Sequence, residues 1–151
     1  MTKKEFWRLS EFGHGRAIVW LRENGDQGFQ DLVLRACLTN RVFDRQTNES
    51  RGWYLAELVC ATKEPEQYLE KIICRGKSVR GHDTRFQVIE LLFELAKRGY
   101  SNASEFIKSE WSWYLKRRNK YGCQTECAER YIELCGLDRK STRLNSSHTV
   151  I

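Results

Sequence analysis

The chain predicts an all-α fold, a short right-handed α-α superhelix of helical hairpins stacked side by side. Three observations predict it. Apolar side chains recur at intervals of three and four through most of the length, the spacing that lines one face of a helix. Short polar turns, most of them with glycine, interrupt that pattern at intervals that fit helix-turn-helix units. The 151 residues hold one proline, and no stretch shows the period of two expected of a strand. With 40% of its residues hydrophobic, the chain can bury a continuous core.

Thr2 and Glu5 form a capping box that opens a first helix, with Phe6 and Leu9 on its apolar side, running to about Glu11. Gly13-His14-Gly15 breaks it. Ala17, Ile18, Trp20 and Leu21 then belong to a second helix that stops at Asn24-Gly25, where glycine adopts the left-handed conformation. These helices, residues 1–25, make an amino-terminal cap. A first full hairpin, residues 26–62, carries Phe29, Leu32, Val33, Ala36 and Cys37 on its outgoing helix and Tyr54, Leu55, Leu58 and Val59 on its return. In the second, residues 64–99, Pro65 suits the first helical turn, where a missing amide hydrogen costs nothing. Tyr68, Leu69, Ile72 and Ile73 follow up to Gly76. Thr84 with Gln87 predicts another capping box, ahead of Phe86, Ile89, Leu92, Phe93 and Ala96, and Lys97-Arg98-Gly99 closes that helix. The third hairpin, residues 101–137, opens on Asn102 with Glu105, buries Phe106, Ile107, Trp111, Tyr114 and Leu115, and returns through Ala128, Tyr131, Ile132 and Cys135.

Aligned on their return helices, Tyr54 to Leu58, Ile89 to Phe93 and Tyr131 to Cys135 recur at separations that fit helical repeats, with little identity between them. Such repeats need only an apolar face to stack on their neighbours. An irregular helical bundle is the alternative. Residues 139–151 show no period. From about Lys140 they resemble a translated sequencing-adapter read-through, which implies a non-native, disordered tail and a natural chain continuing past Asp138.

The segments Gly13 to Arg22, Arg35 to Asn40, Phe43 to Gln46 and Glu49 to Leu55 resemble a group of bacterial HEAT-repeat proteins, armadillo-like α-solenoids of largely unassigned function. The resemblance covers about Phe6 to Leu137 and is more specific in the first half. It implies an interaction role and brings no catalytic residue or cofactor with it.

Composition narrows the function further. No run of about 18 apolar residues exists to span a bilayer, and Met1 to Ser10 is polar with no signal core behind it, so a cytoplasmic protein without a membrane partner is expected. Cys37, Cys60, Cys74, Cys123, Cys127 and Cys135 read as reduced, mostly buried thiols. Cys123, Cys127 and Cys135 share helical spacing but lack the tight Cys-x2-Cys knuckle of structural zinc, so no metal is assigned. His14 and His82 sit in no recognisable nucleophile motif, and no enzyme is expected.

The candidate surfaces are charged. Arg41 and Arg45, then Arg75, Lys77 and Arg80, then Lys116, Arg117, Arg118 and Lys120 lie in or beside the loops within successive hairpins, which in a stack emerge at one end and give it a basic edge. The net charge of +6 agrees with this bias. Cations at helix carboxyl ends also simply complement the dipole. Asp44, Gln46, Glu49 and Arg51 form a polar cluster that either lines a pocket or, the preferred reading, caps and braces the return helix. Gly13-His14-Gly15 reads as a turn before it reads as an anion site. Around Trp111 to Arg118, Trp113 is expected to be the exposed aromatic residue. A non-enzymatic scaffold that binds a protein partner through a concave face and basic edge is favoured. A nucleic-acid-binding solenoid, DNA-glycosylase-like with Asp44 and Trp53 at its site, is the alternative.

Overall fold

The computed structural model describes residues 1–39, 48–79 and 81–117. Among them are seven helices and no strand: α1 (Lys3–Glu11), α2 (Gly15–Asn24), α3 (Gln30–Cys37), α4 (Asn48–Cys60), α5 (Pro65–Gly76), α6 (His82–Lys97) and α7 (Ser101–Arg117). The protein is all-α.

Several boundaries follow from local chemistry. The Thr2 hydroxyl accepts from the Glu5 amide at 3.1 Å, satisfying one of the free donors of α1. Gly25, at φ 77°, ends α2 and donates its amide to the Leu21 carbonyl at 2.8 Å. Pro65 occupies the first turn of α5. Two expected caps are corrected. α6 begins at His82 behind Gly81 without a side-chain cap, so Thr84 is already helical. Gln87 is instead fully buried and reaches across to α3, donating to the carbonyls of Ala36 at 3.3 Å, Cys37 at 3.2 Å and Thr39 at 2.6 Å. One amide thus serves the carboxyl end of another helix, a demand that no local pattern announces. α7 likewise starts at Ser101, which puts Asn102 inside it, and Glu105 pairs with Lys108 at 3.3 Å.

The helices lie in two rows. α1 packs on α3, α3 on α5 and α5 on α7, while α2 packs on α4 and α4 on α6. The rows join where α1 meets α2, α3 meets α4 and α5 meets α6. One core runs between them. It starts at an edge-to-face cluster of Phe6, Trp20 and Phe29, with centroids 4.7 to 6.0 Å apart, that pins the start of α3 against α1 and α2. Each such pair adds about 1 kcal/mol beyond its buried area. The core continues through Val33, Leu55, Leu58 and Ile72 to Leu92, Phe93, Ile107 and Trp111.

Helix α6 is enclosed by α3, α4, α5 and α7, and every residue from Phe86 to Ala96 is buried. Gly52 of α4 packs directly against its backbone. A Cβ at that position would stand 2.8 Å from the backbone carbon and oxygen of Glu90. Only glycine lets the two helix backbones come that near.

Candidate functional site

Contacts between helices sort the molecule into two ends. At the end holding the loops within hairpins, the Tyr54 hydroxyl donates to the His14 carbonyl at 3.3 Å, and Arg85 of α6 meets Glu110 and the Trp113 ring of α7. At the other end, where one hairpin joins the next, Asp26 accepts from Tyr68 and from the Lys63 amide, and Arg22, Glu57 and Arg98 link α2 and α4 to the carboxyl end of α6.

Around the carboxyl end of α6 the junction end carries a charge-paired network. Glu57 lies between Arg22 at 3.1 Å and Arg98 at 2.7 Å, and the buried Glu94 lies between Arg98 and Lys97, both at 3.1 Å. Burial pulls the Arg98 pKa down, but hydrogen bonds to Glu57 and Glu94 outweigh it and the net direction is up. The cation is firmly held and complements the carboxyl end of α6. Tyr68 and Tyr54 are both raised well above the usual phenol value, chiefly by burial. In Tyr68 the hydrogen bond to Asp26 adds to that effect.

The hairpin-loop end is different. Arg8, Arg35 and Arg75 stand in the last turns of α1, α3 and α5, with Lys77 just beyond, and all four are exposed. None pairs with a carboxylate among the described residues. Arg35 stacks over the Trp7 ring at 4.4 Å, which joins α1 to α3 at that level. Of the basic edge expected from sequence, Arg75 and Lys77 are therefore exposed at this end. Lys116 and Arg117 occupy the last turn of α7. Arg41, Arg45, Arg80, Arg118 and Lys120 lie outside the described residues. Arg8 and Arg35 were missed because they belong to helix ends and not to loops.

Within the polar cluster, Arg51 is half-buried in the first turn of α4 and Glu49 shares that turn, while Asp44 and Gln46 lie outside the described residues. His14 caps α2, its Nδ1 accepting from the Arg16 amide at 3.5 Å, so Gly13 to Gly15 is a turn. The exposed aromatic residue is not Trp113, which packs on Phe86 at 4.8 Å and under the Arg85 guanidinium at 4.1 Å. The aromatic residues that are exposed among the described residues are Phe12, 71% exposed at the end of α1, and Trp53, 53% exposed on α4. The Arg22–Glu57 bridge links α2 to α4, and each of these helices carries an exposed apolar residue, Val19 (50%) on α2 and Trp53 on α4. Periodicity misses this pair because both residues interrupt the buried stripe.

Of the described cysteines, Cys37 is buried, Cys60 half-buried and Cys74 exposed, which corrects the expectation of mostly buried thiols. All three are free. Cys123, Cys127 and Cys135 lie outside the described residues, as does the expected return helix of the third hairpin. Among the described residues no group of three or more potential ligands is arranged to hold a metal ion, and no helix is long and apolar enough to cross a membrane. Comparison with protein-family models, with curated proteins and with solved structures found no match.

Proposed function

We propose that the chain is a short HEAT-like α-solenoid acting as a non-enzymatic scaffold, which binds a protein partner through the outer face of α2 and α4 and the adjoining cationic edge. The observation that carries this reading is Trp53 standing half in solvent on a helix whose other large apolar residues are buried. Tryptophan contributes disproportionately to protein interfaces, and leaving its ring in water forgoes about 2 kcal/mol of burial. The two-row contact pattern supports the solenoid part of the reading, because each helix gains its core from sequence neighbours. The test is affinity capture with the intact protein and with Trp53→Ala, followed by reconstitution of whatever the wild type alone retains. A purified partner that protects α2 and α4 from hydrogen exchange supports the reading; loss of no protein on Trp53→Ala sinks it.

The unpaired cations favour a second reading, nucleic-acid binding along the same edge. Titration of a labelled duplex across a salt series distinguishes the two. Salt-dependent binding whose slope falls after Arg75→Ala and Lys77→Ala supports nucleic acid, and absence of binding at low ionic strength removes it.

A further inference from the structure

The junction end holds a buried carboxylate with no cation against it. Asp26, 8% exposed, sits in the turn between α2 and α3. Its Oδ2 accepts from the Tyr68 hydroxyl at 2.5 Å and its Oδ1 accepts only a long bond, 3.5 Å, from the Lys63 amide. No ammonium or guanidinium group of the described residues pairs with it. Buried charges are ordinarily paired, so this one has unused capacity to accept from a cation.

Asp26 lines a cavity of about 350 Å³, at the small end of cavities that take small molecules. The remaining lining is polar and of both signs. Lys63 and Glu64 at the junction of α4 with α5, and Lys71 in the middle of α5, are exposed and make no ion pair among the described residues. Gln30 accepts from the Gly28 amide at 2.8 Å through its Oε1, which leaves its NH2 as a donor, and Gln27 and Gln67 add two further amides. A simple cation entering here meets two lysines, and a simple anion meets a buried carboxylate. A molecule carrying both charges satisfies both sets of groups.

We infer that this cavity binds a small zwitterion, a free α-amino acid, with its ammonium group on Asp26 and its carboxylate toward Lys63 and Lys71. The site is separate from the cationic edge and from Trp53, so its failure leaves the scaffold reading untouched. The experiment is a titration of the isotope-labelled, full-length chain with L-arginine, L-glutamine and L-leucine, and with putrescine and acetate as single-charge controls. The readout is the side-chain amide resonances of Gln27, Gln30 and Gln67. At least one amino acid shifts them saturably, with both controls weaker by about tenfold or more. Asp26→Asn weakens binding by about tenfold, Lys71→Ala by a smaller factor, and Gln67→Trp blocks the cavity while leaving the Asp26–Tyr68 bond in place. Should Asp26→Asn fail to fold, the two rim variants decide. Absence of saturable shifts with all three amino acids, equal shifts with putrescine or acetate, or unchanged binding by Gln67→Trp overturns the inference.

Discussion

Helices α5 and α6 belong to one hairpin and are buried in opposite ways. α5 shows a clean stripe: Tyr68, Leu69 and Ile72 are inside, while Glu66, Gln67, Glu70 and Lys71 face water. α6 has no solvent side from Phe86 to Ala96, and that interval includes Gln87, Glu90 and Glu94. Both helices touch four others, and the difference lies in extent: α6 lies along α4 and α7, whereas α5 meets each of its neighbours narrowly. Without a solvent side, α6 must find partners for its polar positions inside the protein: Gln87 serves the α3 carbonyls and Glu94 holds Arg98 and Lys97. An enclosed helix therefore depends on particular polar partners, local for Glu94 and distant for Gln87, whereas a one-sided helix depends on area alone.

The sharpest way to break the comparison is to push α4 off α6. Gly52→Ala places a methyl group 2.8 Å from the Glu90 backbone, where no side-chain movement relieves the clash. A loss of about 3 kcal/mol is expected in urea unfolding. A loss below about 1 kcal/mol would mean that the two helices part easily and that α6 is not rigidly enclosed. Next is Arg98→Ala, which takes one of two cations from Glu94, whose side chain is 5% exposed, and one of two from Glu57, and costs about 2 kcal/mol. Arg22→Ala removes a partner that is itself 57% exposed and costs less than about 1 kcal/mol, so the two substitutions at one Glu57 differ by their burial.

Periodicity exposed α5 almost completely in the sequence, because a helix with one buried side writes its environment in intervals of three and four. The apolar stripe of α6 was legible too, but its polar residues were not. Gln87 beside Thr84 has the spacing of a capping box, and only the approach of α3 turns that amide to a different helix end. The charged edge was half legible: Arg75 and Lys77 follow from topology, while Arg8 and Arg35 become part of it only when the last turns of α1 and α3 come level with the loops. The Asp26 cavity left no trace, because its parts come from a turn, a junction and a helix face up to 45 positions apart in the chain. The cysteines show the same limit. Their residue type predicts burial, and only their neighbours decide it.

That last difference yields a titration experiment. Burial under the amino end of α6 pushes the Cys37 thiol far above its ordinary value, so the folded protein keeps its proton. The unfolded thiol releases its proton near pH 8.5, about its free value. The stabilisation is thus complete below that pH. Above it the unfolded state binds fewer protons, and stability falls by about 1.4 kcal/mol per pH unit. Urea midpoints measured between pH 8 and 10 should show this slope, and Cys37→Ala should make it shallower, with the Cys60 thiol, also raised by burial, contributing in the same direction.

On α5 the expectation is near silence. Cys74 and Glu70 are exposed on a helix with a solvent side, and neither makes an ion pair among the described residues. Cys74→Ser should change stability in urea unfolding by no more than about 0.5 kcal/mol. Glu70→Ala should shift the midpoint by no more than about 0.5 kcal/mol. A larger loss at either position would show that the outer side of α5 is covered in solution, which would make it a second docking face beside the row that carries Trp53.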